Sequence, residues 1–184
     1  MIYLYTVGLS LSGKTWLVEK IKEAFPNKFA VIKSRSIHDM LNSMQPFKDD
    51  NSVDGESYEM RGEFTKEIRM LLIELFAKEG IDIIQDSCNL KKEERLRRVE
   101  GVKGIVPQVK TVLIYVDTDQ EIVKERAKKE DDKNGNTIWM ELFNKQIDEI
   151  EVPESSDANH FIHYDGSNWS EVIEEISRMV EDGV

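Results

Sequence analysis

The segment GLSLSGKT at residues 8–15 constrains the fold more than any other part of the chain. Gly8 and Gly13 bracket four residues, and Lys14 and Thr15 follow, which is the G-x-x-x-x-G-K-[ST] spacing of a phosphate-cradling (Walker A) loop. An apolar, β-rich run (IYLYTV, 2–7) precedes it. A helical pattern at 15–24 follows, with Trp16, Leu17, Ile21 and Phe25 near helical spacing. Strand, glycine loop and helix in that order predict a βα unit whose strand lies inside a parallel sheet. The glycines permit tight turns with no side chain in the way. Backbone amides from Leu9 to Thr15 can then converge on a phosphate, and the helix N-terminus adds partial positive charge. The candidate nucleotide-binding residues are Gly8, Ser10, Ser12, Gly13, Lys14, Thr15 and Trp16. In such a loop the lysine reaches the β- and γ-phosphates of ATP and the threonine hydroxyl binds Mg²⁺.

The rest of the chain alternates strand and helix. Strands are expected at 29–32 (FAVI), 81–85 (IDIIQ), 111–116 (TVLIYV) and 161–164, and helices at 37–44, 58–78, 90–99, 119–129, 137–150 and 170–180. Residues 101–107 read as a connection, 130–136 (EDDKNGN) as a charged turn, and 152–158 as a loop around Pro153. Residues 45–56 are polar and aperiodic and read as a surface loop, a candidate moving part together with 130–136. The alternation calls for an α/β fold of three layers, a five-stranded parallel sheet with helices on both faces. With no repeat or low-complexity tract, residues 1–184 are expected to form one domain.

The formal net charge of −11 argues against an extended nucleic-acid footprint, which needs a basic surface, but permits a single strand end or a mononucleotide. No apolar run approaches the roughly 20 residues of a membrane span. The N-terminus lacks a basic leader, and Cys88 has no disulfide partner, so a reducing cytoplasm is the expected location.

Three further segments carry chemistry. Asp86 ends the strand IDIIQ at the edge where parallel sheets bind ligands. Its carboxylate can hold Mg²⁺ through water or take a proton from an attacking hydroxyl; the alternative is a turn or helix N-cap aspartate. Arg126, Lys128 and Lys129 precede a glycine-containing turn and can fold over phosphates, or simply end a solvated helix. The basic run KKEERLRR at 91–98 reads mostly as a solvated face paired with Glu93 and Glu94, with Arg95 or Arg98 able to reach the site. His38, His160 and His163 lack metal-ligand spacing, and the last two fit a strand edge.

With these residues in hand, the chain resembles the P-loop kinases of the polynucleotide kinase type, phage enzymes among them. GLSLSGKTW, IIQDSCNLKKEERLRR and VLIYVDTDQEIVKERAKK carry the likeness, together with the segment 138–153. The resemblance implies a 2-3-1-4-5 sheet, a lid-like segment around 126–140, and transfer of the ATP γ-phosphate to a hydroxyl, most like a nucleic acid 5′-hydroxyl. Lys14 and Thr15 then take the phosphate and magnesium roles, Asp86 lies near the acceptor and in reach of the metal, and Arg126 falls among the lid arginines. One departure stands out. The family's base aspartate follows its second strand, where this chain reads KSRSIHDML, with Arg35 and Ser36 at the equivalent positions and Asp39 a turn later. Either Asp39 or Asp86 serves as base, or the acceptor differs. An arginine there suits a phosphate-bearing acceptor, so a nucleoside or nucleoside monophosphate kinase is the alternative, and a P-loop ATPase module a second one.

Overall fold

Six consecutive buried residues, Ile2–Val7, form β1, and their side chains divide between two cores by strand alternation. The computed structural model describes residues 1–44 and 56–181, so 45–55 of the expected surface loop lie outside the described residues. After β1 come α1 (Lys14–Ala24), β2 (Phe29–Lys33), α2 (Ser34–Asn42), α3 (Glu56–Lys78), β3 (Asp82–Asp86) and α4 (Lys92–Ile105). Then follow β4 (Lys110–Val116), α5 (Gln120–Asn134), α6 (Ile138–Glu149), β5 (His160–Tyr164) and α7 (Trp169–Glu181). All strand pairs are parallel and the order is β2-β3-β1-β4-β5, as the resemblance implies.

Ile2 and Leu4 join Leu17, Val18 and Ile21 of α1 and Val172 and Ile176 of α7 in one core. Tyr3, Tyr5 and Val7 join Ile37 and Leu41 of α2, Ile73 of α3, and Val99 and Val102 of α4 in the other. Each fully buried aliphatic side chain contributes about 1.5–3 kcal/mol, so apolar area is a large part of what holds both helical layers. A third, smaller core joins Leu9 of the glycine loop to Val123 and Ala127 of α5 and Phe143 of α6. That cluster seats the α5–α6 hairpin directly on the loop.

The structure corrects several local expectations. The connection expected at 101–107 is mostly helix, because α4 runs through Gly101 and Gly104 to Ile105. Each glycine costs about 1 kcal/mol in a helix interior, which burial of Val99 and Val102 offsets. The charged turn expected at 130–136 is helical to Asn134, and only Gly135 (φ 65°) turns the chain. Its buried Asp131 accepts the amide protons of Trp139 and Met140 at 2.9 and 2.8 Å and so caps α6. The loop at 152–158 contains a 3₁₀ turn, Ser155–Asp157. Arg95 and Arg98 do not belong to a solvated face: both are buried, Arg95 against Asp157.

Candidate active site

Gly8 has φ 146°, and a Cβ there would lie 2.6 Å from the carbonyl oxygen of Val116, so β4 admits only glycine at the start of the loop. The Gly8 amide donates to the Cys88 carbonyl at 3.0 Å, tying the loop to the end of β3. Leu11 and Gly13 also take positive φ, at 63° and 101°. Gly13 ends the loop as the N-cap of α1, with no capping side chain and no acidic residue in the first turn. The first amides of a helix have no intrahelical acceptors, and here they face the loop concavity with their partial positive charge. Lys14 is 7% exposed, and its Nζ donates across the loop to the Leu9 carbonyl. A helix N-terminus without a capping side chain, with a lysine in the same loop, fits a chain of phosphates.

Thr15 Oγ1 donates to Asp86 Oδ2 at 2.8 Å. The pairing follows from the sheet, since β3 lies beside β1 and delivers Asp86 next to the first turn of α1. A hydroxyl and a carboxylate are hard oxygen donors suited to Mg²⁺. Among the described residues no group of three or more His, Cys, Asp or Glu could hold a metal ion. Mg²⁺ takes one or two carboxylates and draws its remaining ligands from phosphates and water. Asn89, which sequence placed beside Asp86 as part of one motif, serves the scaffold. At φ 50° its Nδ2 donates to the Thr6 carbonyl at 2.7 Å, and its Oδ1 accepts from Ser87, Gln85 and Arg98.

The α5–α6 hairpin grips the loop from the other side. Arg126 Nη1 donates to the Leu11 carbonyl at 2.8 Å, whereas Lys128 and Lys129 are exposed. Thr118 Oγ1 donates to the Ser12 carbonyl at 2.6 Å. Gln146 of α6, absent from the sequence-based candidates, accepts the Ser10 amide proton at 2.7 Å and donates to Ser10 Oγ at 2.9 Å. Its position on an amphipathic helix gave no signal; its burial at 7% exposure does. Trp16 is 47% exposed at the start of α1 and meets Trp169 of α7 edge-on at 6.4 Å. It therefore lies toward the α7 side of the loop.

Facing the loop across the sheet edge are α2 and α3. Asp39 pairs with Arg35 at 2.8 Å, and both side chains are more than half exposed. The Arg35 guanidinium also lies 5.5 Å from the Trp139 ring, which links α2 to α6. Lys145 of α6 sits 5.6 Å from the Tyr58 ring of α3. His38 Nε2 accepts the Arg61 Nε proton at 3.0 Å, and burial, then Arg61, hold the imidazole below its ordinary pKa. Arg61, Arg69 and Arg98 are all buried in this quarter. Spacing on an amphipathic helix could not reveal them, because a lone arginine in a periodic pattern reads as solvated. His160 and His163 are exposed on the edge strand β5, where His163 meets Asp117 at 2.9 Å.

A 2-3-1-4-5 parallel sheet, a glycine loop opening α1, and a strand-end aspartate beside it define a P-loop protein of the kinase-like class. An AAA domain profile matches residues 4–153, and the chain belongs to that family. The fold is similar to that of a provisionally assigned kinase of Chloroflexus aurantiacus, at TM-score 0.76 and 10% identity, covering 96% of this chain and 97% of that one. It is also similar to Kti12 of Chaetomium thermophilum in complex with ADP-AlF3 (TM-score 0.64, 13% identity, 96% and 97% covered). A gluconokinase of Sinorhizobium meliloti is a third likeness (TM-score 0.59, 16% identity, 98% and 94% covered). No curated protein sequence matches the chain. No helix among the described residues is long and apolar enough to cross a membrane.

Proposed function

We propose that residues 1–184 act as one ATP-dependent phosphotransferase domain that moves the γ-phosphate to the hydroxyl of a small acceptor. The observation that carries this is the Thr15–Asp86 pair at 2.8 Å, set beside the uncapped N-terminus of α1 with Lys14 in the same loop. Lys14 and the loop amides would hold the β- and γ-phosphates, and Thr15 and Asp86 would hold Mg²⁺, which neutralises charge on the transferring group. Asp86 is the one carboxylate among the described residues bonded to a loop side chain, so it also serves best as the group that orients the acceptor hydroxyl. Asp39, paired with Arg35 on an exposed helix face, fits that task less well. Arg126, bound to the Leu11 carbonyl, would keep the hairpin seated on the loop.

Between a nucleic acid 5′ end and a small acceptor, the cross-cleft contacts favour the latter. Arg35 with Trp139 and Lys145 with Tyr58 join α2 and α3 to α6, which narrows the groove a strand would need. The net charge of −11 points the same way. The gluconokinase likeness offers a sugar-type acceptor as one member of the class to be tried. The experiment is ADP release from ATP and Mg²⁺ against a panel of sugars, sugar acids, sugar phosphates, nucleosides, nucleoside monophosphates and 5′-hydroxyl oligonucleotides. Stimulation by a small hydroxyl compound supports the reading. Stimulation by oligonucleotides alone returns the polynucleotide acceptor, and turnover indifferent to every compound leaves an ATPase module.

A further inference from the structure

Arg69 of α3 is a guanidinium in search of a counter-charge. It is 5% exposed, its Nη1 donates to Ser34 Oγ at 2.9 Å, and its Nε is buried with no partner. No carboxylate lies within ion-pair distance of it among the described residues, and the acidic groups of the neighbourhood are already engaged. Glu94 binds Arg98 at 2.9 Å and Lys66 at 3.2 Å, Asp39 binds Arg35, and Asp86 accepts from Thr15. Burial, then the like charge of Arg98, pushes the Arg69 pKa down to about 10. A buried, unpaired cation is strongly unfavourable unless something anionic completes it.

The place where Arg69 points is informative. Ser34 is the first residue of α2, a nine-residue helix whose N-cap, Lys33, supplies no capping side chain and whose first turn holds no acid. The first amides of α2 therefore need an acceptor as well. Lys33 is the register partner of Asp86, and paired strands lie about 5 Å apart. Apart from the Nη1 bond to Ser34, the Arg69 guanidinium makes no hydrogen bond among the described residues, which leaves Nε and Nη2 protons to meet the oxygens of a carboxylate or phosphate. The first turn of α2, a buried guanidinium bonded to it with donors to spare, and the strand end that pairs with Asp86 thus lie at one corner of the sheet.

We propose that Arg69 and the N-terminus of α2 bind an oxyanion carried by the phosphoryl acceptor, so that the acceptor is a small anionic hydroxyl compound. This rests on the phosphotransferase reading for the word acceptor, but the anion site stands on its own geometry. Arg35, the arginine that sequence offered for such a role, is engaged on the surface with Asp39 and Trp139.

The test uses the full chain with saturating MgADP, which occupies the loop. Inorganic phosphate and, separately, acetate are titrated calorimetrically into the wild type, Arg69→Met and Arg69→Lys. One or both anions should bind the wild type, and the better binder should bind Arg69→Met at least about tenfold more weakly, with Arg69→Lys between them. MgADP affinity should stay the same in all three. Without ligand, Arg69→Met should melt no lower than the wild type, since it removes an uncompensated buried charge; a merely structural arginine would melt lower on replacement. In the ADP-release assay, anionic acceptors should exceed their neutral parents at least about tenfold in kcat/KM, and Arg69→Met should act mainly on KM. Equal anion affinity in wild type and Arg69→Met, no binding of either anion, or melting lowered in both variants overturns the proposal. If no compound stimulates ADP release, the phosphotransferase reading falls, and the anion titrations still decide the Arg69 site.

Discussion

His38 Nε2 accepts a proton from Arg61, so the ring's own proton must sit on Nδ1. Nδ1 lies 3.3 Å from the Asn42 amide, whose Oδ1 is buried without a partner. Both groups are satisfied when the amide oxygen faces Nδ1, which makes His38 a neutral link between α2 and α3. The pH consequence has a definite sign. The folded-state pKa lies below the ordinary 6.5, so the unfolded chain binds the proton more readily. Stability from the neutral imidazole is full above about pH 6.5 and is lost as pH falls from there toward the folded value. His38→Gln should therefore lose less melting temperature than the wild type between about pH 7.5 and about pH 5, measured by paired thermal melts. At the sheet edge, Asp86→Asn should lower kcat by on the order of 100-fold or more. Asp39→Asn should stay within about fivefold, because an exposed ion pair is worth at most about 1 kcal/mol. Steady-state kinetics on the two variants, with whichever acceptor the panel identifies, check this. A large loss confined to Asp39→Asn would move the orienting role to α2.

Among the elements, α4 depends on a buried pair that its sequence disguises. Arg95 donates to Asp157 through Nε at 3.0 Å and Nη2 at 2.8 Å, and its Nη1 serves the carbonyls of Asn89, Leu90 and Glu151. One side chain thus ties α4, the end of the β3 loop and the turn before β5 together. Asp157→Ala should cost about 3–5 kcal/mol by leaving the arginine uncompensated, seen as a lower urea midpoint. Replacing the pair with Arg95→Met and Asp157→Leu should recover most of that loss, since the apolar pair carries no desolvation penalty. Burial of α4 was hard to read because its charged residues obey no clean stripe: Arg95 is buried while Leu96 is only partly so. The α5–α6 hairpin was hard to read for a related reason. EDDKNGN has the composition of a turn, yet Asp131 is turned inward to cap α6, which makes helix of most of it.

For the whole molecule, nucleotide binding should be visible as stability. MgATP at about 100 times its Kd adds about 2.7 kcal/mol, or roughly 5–10 °C for a chain of this size. Lys14→Ala should fold, lose most of that shift, and lose turnover, as differential scanning with and without MgATP will show. The buried central strands and the loop were legible in the sequence because each rests on local rules: strand alternation, glycine at positive φ, and the spacing of Lys14 and Thr15 from Gly8; the strand order came only from the family resemblance. Those rules also placed Asp86 correctly at the end of β3, since a carboxylate after an apolar run marks where a parallel strand leaves the sheet. What needed the tertiary structure was every relation between segments distant in the chain. Gln146 meets Ser10 across 136 residues, Arg69 meets Ser34 across 35, and Arg95 meets Asp157 across 62. Backbone geometry and side-chain periodicity act over a few residues and so determined the scaffold and the phosphate loop. Which polar groups are buried, and which of them find a partner, depends on packing between elements, and that alone exposed the buried Arg69 guanidinium, bonded to Ser34 but without a counter-charge among the described residues.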